Sequence, residues 1–226
     1  MTQPNAAAPI ILQTSETPDA CVIWLHGLGA DASDFVPVAK ELQLPASMAI
    51  RFVFPNAPVR PISINQGYAM PGWYDISKSD IAGDDSGAAE DSDGIEASSQ
   101  AMQAIIDQQR EQGIDAGHII IAGFSQGGAV ALHAGLHCQH RLAGVMALST
   151  YLPWCARQQP KNTRNLPIFM AHGSEDTVVK TAYGRRSAEA LRQLGCALEW
   201  HEYPMAHSVC MEEIADIRHW LLRLLG

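Results

Sequence analysis

The sequence has no excess of basic residues, no long apolar run and no paired cysteines, and each absence removes a class of function. Lys and Arg number 15 against 24 Asp and Glu, a formal net charge of −9. A surface of that sign repels phosphate backbones and anionic headgroups, so neither nucleic acid nor a membrane is expected as a partner. No stretch approaches the roughly 20 apolar residues of a membrane-spanning helix. Met1 to Pro9 is polar and Ala-rich, lacks the basic start and apolar centre of a secretory signal, and is expected to be flexible. The five cysteines (Cys21, Cys138, Cys155, Cys196, Cys210) are odd in number and lack short paired spacings. Without an export signal they read as reduced packing thiols, and the expected location is cytoplasmic.

What is present is apolar residues, 47% of a 226-residue chain. That suffices for one well-buried core but is short for two, so residues 1–226 are expected to form a single domain. Short apolar runs alternate with longer amphipathic segments, the pattern of a mostly parallel sheet with helices on both faces. Cys21 to Leu25, Arg51 to Phe54, His118 to Ala122, Val145 to Leu148 and Ile168 to Ala171 are nearly continuous apolar runs, as strands buried on both faces require. Leu198 to Tyr203 is more polar and suits an edge. Asp34 to Leu42, Ile95 to Gln109, Gly128 to Leu136, Ala182 to Leu194 and Glu212 to Leu225 carry helical spacing, with Asp93 and Glu96 resembling a capping box.

Residues 61–93 break the rhythm, being too long for an ordinary connection and rich in Gly, Ser and Asp, so they read as a functional or partly mobile loop near the active site. Asp80, Asp84, Asp85, Glu90, Asp91 and Asp93 lack the spacing of a calcium loop and read as solvated surface; no metal is expected.

Gly123-Phe124-Ser125-Gln126-Gly127 lies directly between a strand and a helical segment. A sharp strand-to-helix turn of this kind lifts a serine hydroxyl into a cleft, and the glycines let neighbouring backbone pass close by. Ser125 is therefore the candidate nucleophile, and the helix N-terminus beside it favours an oxyanion. A serine needs a base held by an acid, and in this fold the partners follow in the order Ser, Asp, His. Asp176 follows the strand Ile168 to Ala171, with Glu175 as competitor, and His207 follows the strand ending near Tyr203. Of the nine histidines, His207 is best placed and His172, at a strand end, is the other worth following. An oxyanion hole needs the backbone N–H of Gln126 and a second from an earlier turn, which His26-Gly27-Leu28-Gly29 supplies through Leu28.

These residues resemble those of the phospholipase/carboxylesterase family, the bacterial carboxylesterases and acyl-protein thioesterases, nearly end to end. The likeness is carried by Leu25-His26-Gly27-Leu28-Gly29-Ala30-Asp31, Phe54-Pro55-Asn56-Ala57-Pro58, Trp73-Tyr74-Asp75-Ile76, Gly123 to Gly128, Leu148 to Pro153, His172-Gly173 with Asp176 and Val178-Val179, and His207-Ser208-Val209. The resemblance implies a single-domain α/β-hydrolase without a large cap domain, with Ser125, Asp176 and His207 as triad and Leu28 and Gln126 as oxyanion donors. It also implies an acyl groove beside the block before Trp73, with Met70, Trp73 and Leu152 as lining, and a weak homodimer. Thr177 stands where many relatives have proline, and Ala206 where glycine is usual.

The expected activity is hydrolysis of short- to medium-chain carboxylic esters through an acyl-enzyme, with no cofactor. Acyl-protein thioesterase and lysophospholipase activities are the alternatives within the family. A peptidase would need further substrate-binding elements and a lipase a larger apolar lid. A silent fold used as a binding module is the rival outside enzymes, and the presence of all three triad candidates argues against it.

Overall fold

The computed structural model describes residues 7–77 and 90–226. Strands β1 (Ile10–Gln13), β2 (Ala20–Leu25), β3 (Ile50–Phe54), β6 (Ile119–Phe124), β7 (Gly144–Leu148), β8 (Pro167–Gly173) and β9 (Ala197–Tyr203) form one sheet in the order β1-β3-β2-β6-β7-β8-β9. Every pairing is parallel except β1 with β3. Strands β4 (Val59–Ile62) and β5 (Tyr68–Pro71) form a separate antiparallel hairpin.

Helices α1 (Val36–Glu41), α2 (Ser92–Glu111), α3 (Gln126–His137), α4 (Thr181–Gln193) and α5 (Met211–Leu225) cover both faces. The alternation of side chains along each strand splits the core in two. Ile23, Leu25, Ile121 and Val145 pack with α2, α3 and α4, whereas Trp24, Ile120, Met146 and Leu148 pack with α1 and α5. This is the doubly covered parallel sheet that the apolar runs imply. Among the described residues no helix is long and apolar enough to cross a membrane.

Two elements went unread in the sequence. Edge strand β1 is mostly exposed, so its short apolar run carries no burial pattern. The hairpin occupies the first part of the segment read as a long loop, held in register by Arg60 opposite Met70 and Ile62 opposite Tyr68. The N-cap of α2 is Asp91 rather than Asp93, its carboxylate accepting from the Gly94 N–H at 3.0 Å and the Asp75 N–H at 2.8 Å. Glu90 accepts from the backbone N–H groups of Trp154 and Cys155. These two carboxylates are therefore structural acceptors and not solvated charge, while Asp80, Asp84 and Asp85 lie outside the described residues. So do residues 1–6 of the segment expected to be flexible; just after them, the Ala8 carbonyl accepts from Asn56 Nδ2.

Helix α5 buries Ile214, Ile217, Trp220 and Leu221 against the sheet, and with them Glu213, whose carboxylate oxygens make no hydrogen bond among the described residues. Burial pushes its carboxyl up to about 8, opposed only by the nearby Cys210 backbone amide. Since the folded chain holds this proton more tightly than the unfolded one, the resulting stability is full below the ordinary Glu range. It is lost as pH rises through about 8. Glu213→Gln is expected to remove a slope of about 1.4 kcal/mol per pH unit over that window. Chemical denaturation of both proteins at pH 5 to 8 measures it; parallel curves would mean that Glu213 is ionised in the folded chain.

Candidate active site

Strand β6 ends at Phe124 and α3 begins at Gln126, so Ser125 alone makes the turn, with φ 53° and ψ −119°. This is a costly conformation for a residue with a Cβ. It is held from both sides. The Ser125 N–H donates to the Leu148 carbonyl at 2.9 Å, and the Ser125 carbonyl accepts from Gly128 N–H and Thr150 Oγ1. A Cβ on Gly123 would lie 2.2 Å from the Gly127 carbonyl oxygen, and one on Gly127 would lie 2.5 Å from the His26 carbonyl oxygen. Glycine is therefore required at both positions by backbone passing close.

The loops after β8 and β9 are joined in the same manner. A Cβ on Gly173 would lie 2.3 Å from the carbonyl oxygens of Met205 and Ala206. Ser174 N–H donates to the Tyr203 carbonyl and Glu175 N–H to the Met205 carbonyl. This pairing brings His207 Nδ1 to 2.6 Å from Asp176 Oδ2. Asp176 Oδ1 accepts from the N–H groups of Val178 and Val179 at 2.8 and 2.9 Å. Asp176 is buried while Glu175 is exposed, which separates the two acidic candidates. Because a carboxylate only accepts, the proton of the neutral His207 ring sits on Nδ1, leaving Nε2 as the basic nitrogen.

His172 also reaches this carboxylate. Its ring is fully buried, with Nε2 2.7 Å from the Val179 carbonyl and 3.4 Å from Asp176 Oδ2. The carbonyl fixes the proton on Nε2, Nδ1 has no partner among the described residues, and burial lowers the pKa of the ring. The sequence singled out the strand end for His172 but offered nothing to place it behind Asp176.

The turn after β2 faces the elbow because Leu25 pairs with Gly123 where the strand order reverses, the position at which open parallel sheets form their sites. His26 is locked below this turn, its Nε2 accepting from Ala57 N–H and its Nδ1 donating to the Gly27 carbonyl. The Gly29 N–H is taken by the Pro71 carbonyl of β5. Leu28, Ser125, Gln126 and His207 then line one cleft of about 290 Å³, with Ile64, Ile76, Tyr151 and Asp34 among its walls. Desolvation in this wall holds the Asp34 carboxyl above the usual range.

The lining expected from the resemblance differs. Trp73 is only 2% exposed and Leu152 likewise 2%, so both sit behind the cleft. The Trp73 indole donates to the His26 carbonyl, its N–H to Gln126 Oε1, and its carbonyl accepts from Ser98 Oγ. Leu152 faces the core, and its neighbour Tyr151 is the residue that reaches the cleft, its hydroxyl 2.7 Å from that of Tyr74. Met70 stays partly exposed on β5 with its sulfur near Gly29, beside the cleft and outside its immediate lining. Gln126 has a second task that the sequence did not disclose: its Nε2 donates to the Tyr74 carbonyl at 2.7 Å while Oε1 accepts from Trp73.

The family model described as phospholipase/carboxylesterase matches residues 6–225. The chain is 38% identical over 225 residues to a fungal protein, acyl-protein thioesterase 1 of Mycosarcoma maydis, covering 92% of each chain. Among solved structures it is similar to SOBER1 of Arabidopsis thaliana, with TM-score 0.82 and 29% identity, covering 92% of this chain and 99% of that one. It is also similar to acyl-protein thioesterase 2 of Zea mays, with TM-score 0.82 and 26% identity over 96% of this chain and 99% of that one.

Gln126 clips the Trp73-Tyr74 backbone to the elbow, and removing its amide strands a buried N–H and a buried carbonyl together. Gln126→Ala is expected to destabilise the fold by about 2–4 kcal/mol. Thermal or chemical unfolding measures this, and a loss under about 0.5 kcal/mol, the scale of an ordinary surface change, would show that the clip is dispensable.

Proposed function

Because the chain belongs to the phospholipase/carboxylesterase family, we propose that it is a serine hydrolase of carboxylic esters and thioesters, with Ser125 as nucleophile, His207 as base and Asp176 as its orienting acid. The observation that carries this reading is the single cleft shared by a serine on a strained elbow and a histidine bonded through Nδ1 to a buried carboxylate.

In the first step, His207 Nε2 takes the Ser125 proton as Oγ attacks the acyl carbonyl carbon. In this reading the backbone N–H groups of Leu28 and Gln126, which both line the cleft, stabilise the oxyanion; as the first residue of α3, Gln126 has no intrahelical acceptor for its N–H. The acyl–oxygen or acyl–sulfur bond then breaks, and His207 gives its proton to the departing alcohol or thiol. Water adds to the acyl-enzyme with its proton passing to His207, and the acid leaves as Ser125 regains its hydrogen. No step calls for an electron sink or a metal.

A cleft of about 290 Å³ lies at the small end of ligand pockets, which supports short- to medium-chain acyl groups. The acyl-protein thioesterases among the relatives favour including thioesters. Lysophospholipase activity would need room for a longer chain. The five free cysteines support a cytoplasmic location, and exposed Val59 and Tyr68 on the hairpin support a weak homodimer.

Ser125→Ala is expected to abolish hydrolysis of p-nitrophenyl butyrate and of a butyryl thioester while circular dichroism stays unchanged; parent-level turnover would sink the assignment. Asp176→Asn is expected to lower kcat about 10³- to 10⁴-fold, the scale known for the trypsin-type triad. Across p-nitrophenyl esters from acetate to palmitate, kcat/KM is expected to peak at or below about eight carbons. A peak at palmitate would overturn the chain-length reading and leave the serine assignment standing.

A further inference from the structure

The Ser125 cleft has mostly apolar walls, but one described lining side chain is a carboxylate, Asp34. Its neighbour Asp31 is occupied, accepting from the N–H and the hydroxyl of Ser33. Among the described residues the Asp34 carboxylate has no hydrogen-bond or ion-pair partner. Asp34 is exposed at the edge of this apolar wall, and a carboxylate there that no protein group engages attracts a cation brought by the substrate and repels an anion.

Ring contacts fix which part of the substrate it meets. Phe35, next to Asp34, packs on Phe124 with ring centroids 5.6 Å apart, and the other neighbour of Phe124 is His207 at 4.7 Å. Ala32, Phe35 and Phe124 pack in the apolar cluster on one face of the sheet and Ile64 and Ile76 with the cluster on the other, so the chain at Asp34 reaches the cleft from the face on which Phe124 meets His207. His207 must reach the departing atom to protonate it, so the departing alcohol or thiol lies on the Asp34 side and the acyl chain away from it.

We infer that Asp34 makes the enzyme select substrates whose departing alcohol or thiol bears a positive charge, such as an alkylammonium. This rests on the serine hydrolase reading and assigns a charge to the departing half.

Butyrylcholine and 3,3-dimethylbutyl butyrate have the same shape, and only the first carries a charge. The ratio of their kcat/KM values is expected to be about fivefold in favour of the cation at low ionic strength, the upper range of an exposed pair, and to shrink with added salt. Asp34→Asn is expected to bring the ratio to about 1. Asp31→Asn removes the same formal charge from outside the cleft and is expected to leave the ratio nearer the parent value. A parent ratio at or below 1, or an Asp34→Asn ratio equal to the parent's, overturns the inference while Ser125-dependent turnover of the neutral ester keeps the hydrolase reading. If neither ester is hydrolysed in a Ser125-dependent way, the hydrolase reading fails and the selection falls with it.

Discussion

A serine held at φ 53° and ψ −119° is the constraint around which the neighbouring backbone is arranged. Such a conformation costs on the order of 1–3 kcal/mol and persists only where the surroundings over-determine it. Here the N–H is bonded to β7, the carbonyl to α3 and Thr150, and the turn is hemmed in by β2 through Gly127. Three parallel strands must therefore end at the same level for the hydroxyl to stand clear. The registers of Leu25 with Gly123 and of Phe124 with Leu148 provide that level. The strain is local, but its support is the sheet.

The buried carboxylate of Asp176 is handled by the same economy. A charge without water must be met by donors or it will take up a proton. Asp176 receives two backbone N–H groups on one oxygen and His207 on the other, with His172 Nε2 3.4 Å from that second oxygen. The turn Asp176 to Val179 supplies the backbone donors whatever its side chains are. Thr177 itself adds nothing to this arrangement: its side chain is exposed, and the bonds that matter come from the N–H groups of the next two residues.

Elements whose burial matches their periodicity were legible, and elements whose stability comes from particular polar partners were not. The apolar runs of β2, β6, β7 and β8 are buried on both faces, so hydrophobicity alone locates them, and chain order then locates Ser125, Asp176 and His207. Strand β1 and the β4–β5 hairpin are short and largely exposed, held by backbone pairing that any sequence can supply. Trp73 illustrates the second limit. Its neighbours in sequence mark a groove, yet its indole N–H finds the His26 carbonyl, a partner 47 residues away that no local pattern announces. Glu90 and Asp91 read as surface charge for the same reason, since their acceptors' partners lie on distant or turning backbone.

These supports divide the site into a fixed half and a half that can vary. The proposed nucleophile, base and acid follow the carboxyl ends of paired strands, where a shift of one residue would reverse every buried side chain. The wall of the cleft is instead carried partly by the hairpin, whose strands form a separate two-stranded sheet. It is tied back at a few points: Gly29 to Pro71, Gln126 to the Trp73-Tyr74 backbone, and the Trp73 indole to His26. The first two ties use main-chain atoms of this segment and the third only the side chain of Trp73, so side chains such as Ile64 can change size without loosening it. Gln126 is itself a proposed oxyanion donor and His26 lies two residues before the other, Leu28, so the wall is tied to the residues proposed to hold the reacting carbonyl. Acyl preference can therefore shift by substitution along the hairpin while the geometry of Ser125 and His207, anchored in the sheet, stays in place.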